Sequence, residues 1–313
     1  MKKVFKIILY VLTVVIIIVI GFVSFIAIRG IPTYPTQKID LKVESTPERV
    51  KRGQKLASML CVKCHLDPAT GKLTGKFMPD VPKDFGEIYS RNITHDTEAG
   101  IGSWTDGELA FLLRTGIKRN GKYCPPYMAK LRHVSDEDLL SVIAWLRSDD
   151  AMLVASKAKP QEPKPSFLVK FLCLVAFKPF DYPTAPIPDP DKTNQVEWGK
   201  YIANSEFECY ACHSADFKTN DYFNPEKSVG FFGGGNHMLN DDGTKTVLTA
   251  NITMDQKNGI GKWTYEDFIT TLKYGKRPNG EPVKYPMEPY SGLDSTEVQA
   301  IFAYLKTVPV QNN

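Results

Sequence analysis

The sequence predicts a mainly α-helical protein, with two tandem helical modules of similar design behind an N-terminal transmembrane helix. Three observations carry this. Residues Ile7 to Ile28 form an apolar run without a charge, and the pattern Cys-x-x-Cys-His occurs twice, at Cys61 to His65 and at Cys209 to His213. A block downstream of the first pattern also recurs in the second half at a constant offset of 159 positions.

A chain of 313 residues fits two domains, each able to bury its own core. Four of the six cysteines lie in the two Cys-x-x-Cys-His patterns, which leaves Cys124 and Cys173, so this is no disulfide scaffold. Neither half has a second Cys-x-x-Cys to complete a four-thiolate zinc site. The formal net charge is +4, but Lys2, Lys3, Lys6 and Arg29 flank the apolar run; without them 35 bases balance 35 acids. A body so close to neutral has no electrostatic footprint for nucleic acid.

The apolar run of 22 residues is about 33 Å long as a helix, enough to cross a bilayer. A cleaved signal peptide has a shorter apolar region ending in small residues, and Ser24 to Ile28 offers no such cleavage site. Residues 1–29 therefore read as a signal anchor, its basic end inside and the body exported. Residues 30–44, with Pro32 and Pro35, read as an extended stalk.

The first module is expected over residues 45–150. Thr46-Pro47-Glu48 opens a helix with a hydroxyl cap, a proline in the first turn and an acid beside the dipole. Val50, Leu56 and Leu60 give that helix an apolar face, and Gly53 on it points to close approach of another helix. The helix runs into Cys61-Val62-Lys63-Cys64-His65. Cys-x-x-C-H is the attachment signature of c-type haem: two thiols add to the vinyl groups as thioethers and the adjacent imidazole ligates the iron. Asn92-Ile93-Thr94 and Gly100 to Thr105 follow. Thr105 to Glu108 has capping-box spacing for a helix ending near Gly116, and Ser135 to Asp138 opens a second helix with the same device. Between these helices lies Pro125-Pro126-Tyr127-Met128, and a thioether on a proline-stiffened loop is a soft, neutral sixth ligand for iron.

Residues 151–190 link the modules. Their apolar part, Phe167 to Phe177, is too short to span a bilayer. It reads as a strap packed across both modules, with an interfacial membrane helix as the alternative. A Cys124–Cys173 disulfide would tie this strap to the Met128 loop.

The second module, 191–313, repeats the first. Asn92, Trp104, Gly116 and Met128 recur as Asn251, Trp263, Gly275 and Met287, each 159 positions on. The repeat thus selects Met128 and Met287 together. His95 and His133 have no histidine counterparts. The two Cys-x-x-Cys-His patterns are only 148 positions apart, so the second module has 11 extra residues after its pattern. The Gly-rich, Phe-containing segment 230–238 reads as part of that insertion.

Cys-x-x-Cys-His, Asn-Ile-Thr-x-Asp, Gly-Ile-Gly-x-Trp-Thr and a proline-flanked Met before a helix ending Ala-Trp/Tyr-Leu together resemble the cytochrome c subunits of membrane-bound alcohol, aldehyde and gluconate dehydrogenases. The resemblance implies two tandem class I cytochrome c domains holding two covalently attached haem c groups. Cys61, Cys64, Cys209 and Cys212 would attach them, with iron ligands His65, Met128, His213 and Met287. It also implies that Asn92, Trp104, Asn251 and Trp263 lie near the propionates. Those subunits typically carry three haems, where this chain has two motifs.

With both axial positions filled, iron has no vacant site for a substrate, which favours one-electron exchange over enzymatic catalysis. The expectation is a cytochrome held in the bacterial inner membrane by a single span, its haem domains in the periplasm. It would relay electrons from a dehydrogenase to a quinone-linked or oxidase acceptor. The alternatives are a di-haem peroxidase, in which one iron would be five-coordinate, and a subunit feeding a terminal oxidase.

Overall fold

The computed structural model describes residues 2–240 and 244–311. Helix α1 (Lys2–Arg29) is long and apolar enough to cross a membrane. The first half then builds α2 (Pro47–Leu60), the short α3 (Val62–His65), α4 (Asp106–Thr115) and α5 (Asp136–Leu146). Helix α6 (Phe167–Val175) lies in the linker. The second half contributes α7 (Gln195–Tyr201), α8 (Cys209–His213), α9 (Tyr265–Tyr274) and α10 (Ser295–Leu305). Strands are minor: β1 (Gly86–Glu87) pairs with β2 (Lys164–Pro165), and β3 (His237–Leu239) with β4 (Thr246–Leu248), both antiparallel.

The 159-residue offset holds to the residue in three dimensions. Helices α4 and α9 start and stop at equivalent positions, and so do α5 and α10. Thr105 and Thr264 form equivalent capping boxes with Glu108 and Asp267. Gly116 and Gly275 end these helices in the left-handed conformation that glycine adopts without strain. Ser135 caps α5 through Asp138 N–H, but the reciprocal half of the expected box is missing. The Asp138 carboxylate is turned instead to Arg52 and to the Tyr201 hydroxyl.

Each half has its own apolar core. In the first, Leu56 and Ala57 of α2 pack with Leu109, Leu113, Val142, Ile143 and Trp145. In the second, Ile202, Ala203, Phe268, Val298, Ile301 and Tyr304 do the equivalent work. Gly53 lets α2 cross α5 at contact distance, since a β-carbon there would lie 1.8 Å from the Ser141 carbonyl oxygen. Gly199 repeats the crossing of α7 on α10, also 1.8 Å from the Ala300 oxygen.

Two departures from the repeat have visible causes. From the crossing glycine to the first cysteine the second half is two residues longer, and a π-helical turn over Ile202–Glu206 followed by Glu208 at φ 44° takes up the excess. The 11-residue insertion lies before Phe232, so most of segment 230–238 is not part of it. Phe232 accepts from Ile252 N–H as Leu73 accepts from Ile93 N–H, so Phe232 is the counterpart of Leu73. The extra residues therefore fall between His213 and Phe232, and Phe231 and Phe232 are buried core residues.

The halves meet over a charged cluster. The Arg52 guanidinium contacts Asp138 in its own half and Glu206 and Glu297 in the other. Met59 of α2 packs on the second core.

Helix α6 does not bridge both halves as the strap reading expects. Its buried residues Val169 and Cys173 pack with Tyr123, Tyr34, Phe85 and Ile31, all from the first half or the stalk. Farther along the linker, Phe180 meets Phe223 of the second half, with the Arg132 guanidinium over both rings. The expected Cys124–Cys173 disulfide is not formed, and both thiols are free. Cys124 Sγ instead faces Met128 Sδ at 3.6 Å.

Candidate haem-attachment sites

Each Cys-x-x-Cys-His pattern sits on a short helix entered from the longer helix that crosses the end of its own module. One helical turn puts both thiols and the imidazole side by side. Burial pushes the Cys61 and Cys209 thiols up to about 12 and raises Cys64 and Cys212 as well, so all four stay protonated at neutral pH. Half-buried neutral thiols are poor redox nucleophiles. Among the described residues, no group of three or more His, Cys, Asp or Glu could hold a metal ion.

The histidines are oriented in the same way in both halves. His65 Nδ1 lies 2.6 Å from the Arg91 carbonyl oxygen, and His213 Nδ1 lies 2.8 Å from that of Ala250. A carbonyl only accepts, so Nδ1 carries the proton and Nε2 keeps its lone pair. Burial lowers both imidazoles from their ordinary value and keeps them neutral. A neutral imidazole whose far nitrogen is fixed by a carbonyl is the arrangement of a metal-ligating histidine. Two thiols, a free Nε2 and apolar surroundings fit haem c, with the cysteines for its vinyl groups and the histidine for its iron.

Arg91 and Ala250 immediately precede Asn92 and Asn251. The Asn92 side-chain oxygen accepts from Thr94 N–H and Oγ1, and its amide donates to the Ser156 and Ala158 carbonyls. Asn251 does likewise with Thr253 and Gln311. The Asn-Ile-Thr block thus pins the segment that orients the histidine to the chain leaving the last helix of its module. The Asn92 amide spends both of its N–H groups on backbone carbonyls, and the Asn251 amide donates to one. Trp104 and Trp263 stay half-buried against their cores, and among the described residues no acceptor faces either indole N–H.

Met128 and Met287 sit on loops held by equivalent backbone hydrogen bonds. Cys124 N–H donates to Gly116 O, and Leu131 N–H to Leu113 O; Val283 with Gly275 and Tyr290 with Leu272 repeat them. In the first loop the buried Lys130 amine also donates to the Pro125 and Met128 carbonyls. His95 and His133, excluded as ligands by the repeat, bond to the carbonyls of Leu146 and Tyr222.

Sequence reasoning missed the Arg91 and Ala250 carbonyls, because a backbone acceptor constrains no side chain. It also missed Lys63, which lies in the first motif and reaches the second distal loop. Lys63 donates to Pro286 O at 3.3 Å, pairs with Glu288 and lies over the Tyr285 ring.

No family profile matches the chain. It is similar to the fructose dehydrogenase cytochrome subunit of Gluconobacter japonicus, 27% identical over 84% of this chain and 53% of that protein. The cytochrome c subunit of the quinone alcohol dehydrogenase of Gluconobacter oxydans is 26% identical over 83% of this chain and 55% of its own length. A diheme cytochrome c-type protein of Cereibacter sphaeroides is 27% identical over 80% of this chain and 82% of its own length. The chain thus spans about half the length of the dehydrogenase subunits it matches. Over most of its length it resembles cytochrome c subunits of dehydrogenases, and that likeness implies covalently bound haem c and electron transfer.

Proposed function

We propose that this chain is a membrane-anchored two-haem electron relay built as two tandem class I cytochrome c domains, over residues 45–150 and 191–313. Haem c supplies one-electron exchange between Fe(III) and Fe(II). Cys61 and Cys64 hold the first group and Cys209 and Cys212 the second. His65 and His213 present a neutral Nε2 to the iron, fixed in direction by the Arg91 and Ala250 carbonyls. Met128 and Met287 would supply the second ligand to each iron, which would leave the metal no open site for a substrate. Trp104 and Trp263 keep an indole N–H for a propionate. The observation that carries this reading is the carbonyl-held imidazole next in sequence to a half-buried thiol pair, repeated in both halves.

Helix α1 anchors the chain in the inner membrane and the two domains lie in the periplasm. The relatives' names favour a dehydrogenase as donor, and a quinone-linked or oxidase partner accepts the electrons. The test is spectroscopy of the purified holoprotein with M128A and M287A. Two haems per chain are expected, both low-spin, and each variant should lose methionine ligation at one centre only. A five-coordinate haem in the unaltered protein, with peroxide turnover, would favour the peroxidase.

A further inference from the structure

Helix α6 is apolar on nearly every side, with Lys170 its one charged residue. The protein covers only one stripe of it: Val169 and Cys173 are fully buried, whereas Phe167, Leu168 and Val175 are 43%, 40% and 53% exposed. A helix on a water-facing surface carries polar residues on its outer side. This one does not.

Its position accounts for that. Phe171 meets Phe22 of α1 edge-on, with ring centroids 6.4 Å apart, and stacks on Phe167. The Lys170 amine reaches the Ala27 carbonyl at 3.4 Å. At 1.5 Å per residue, Phe22 lies about 10 Å along the helix from Arg29, inside the apolar run. The bare face of α6 is thus continuous with the exposed apolar surface of α1, where Phe22 and Phe25 are themselves half exposed. Lys164 and Lys178 flank the helix, as basic residues flank helices lying in the headgroup boundary.

We propose that α6 is a second membrane contact, lying in the leaflet at the Arg29 end of α1 with lipid covering Phe167, Leu168 and Val175. This rests on the reading of α1 as a membrane span. It seats the first haem module on the bilayer, because α6 packs on Tyr123 and Phe85 and β2 pairs the linker with β1.

The test uses the full-length holoprotein in nanodiscs of phosphatidylcholine and phosphatidylglycerol. Spin labels go on L168C and V175C, with I16C in the middle of α1 and E162C in the linker as references. Cys124 and Cys173 are buried, so the unsubstituted protein serves as the blank, and the haem spectrum reports folding of each variant. Collision with oxygen and with a nickel chelate is then compared. The expected result is that labels at 168 and 175 favour oxygen, as at 16, while 162 favours nickel. Nickel access at 168 and 175 with position 16 in lipid overturns the α6 proposal alone. Protection of 168 and 175 from both reagents means that protein covers this face, and also overturns it. Nickel access at 16 overturns the span, and the α6 proposal with it.

Discussion

Glu206 Oε1 accepts a 2.6 Å hydrogen bond from Arg52 Nη2 across the boundary between the two halves, and Glu206 Oε2 is buried with no hydrogen-bond partner among the described residues. Three carboxylates, from Asp138, Glu206 and Glu297, converge on that one guanidinium; Lys55 pairs with Glu297 and the Tyr201 hydroxyl with Asp138. Burial first, then the neighbouring Asp138 and Glu297, push Glu206 up to about 8. The folded protein therefore holds a proton that the unfolded chain releases near 4.5, the ordinary value. Below 4.5 both states are protonated and nothing changes. Between about 4.5 and 8 the folded state binds more protons, so this residue's contribution to stability falls as pH rises. The difference in Tm between E206Q and the unaltered protein should therefore move in favour of E206Q across that window. A pH-independent difference would mean that Glu206 is ionised throughout.

Gly53 and Gly199 predict matched defects. An added methyl at either position lies 1.8 Å from a backbone oxygen of the crossing helix, which no rotamer change can relieve. G53A and G199A should each lose roughly 3 kcal/mol or more, at the upper end for overpacking, because backbone must move. Thermal unfolding of the holoproteins would check this. Gly21 of α1 has open space around it, so G21A is the control and should unfold as the unaltered protein does.

Asn92 separates two roles. N92A removes two part-buried hydrogen bonds to the Ser156 and Ala158 carbonyls and two buried ones to Thr94. A loss of roughly 2–4 kcal/mol follows from several such bonds at about 1 kcal/mol each. If the residue only pins the backbone, the haem spectrum and potential of the folded fraction should stay put. A potential shift without a stability loss would instead place Asn92 at a propionate.

What the sequence made legible follows from which features are written in side chains. The 159-residue offset foretold equal bounds for α4 and α9 and for α5 and α10, because caps and apolar faces are residue-level signals. Gly53 announced its helix crossing for the same reason. The insertion was placed too late because its glycines resemble a loop, whereas the backbone bond from Ile252 to Phe232 sets the equivalence. The π-turn over Ile202–Glu206 left no compositional trace. Carbonyls that orient the histidines were invisible altogether, since any residue carries one. Contacts between the halves, such as those of Arg52 and Lys63, join positions over 150 apart in the chain and have no counterpart in the repeat.

Lys63 gives the last prediction. Its position in the second motif is taken by Ala211, so the link is one-way: the first attachment turn rests on the loop that carries Met287. The Lys63 ammonium also lies close enough to Cys212 to lower that thiol against the larger effect of burial. K63M removes the hydrogen bond to Pro286, the ion pair with Glu288 and the charge over Tyr285. Loss of a positive charge disfavours the reduced state, so both potentials should fall, on the order of tens of millivolts for a half-buried charge. Only the second centre should also show weakened methionine ligation, since the lost contacts hold its loop. K63R keeps the charge and a donor and should restore most of both effects. Potentiometric titration followed in the visible spectrum resolves the two centres. Unchanged Met287 ligation in K63M would show that the loop stands without this support.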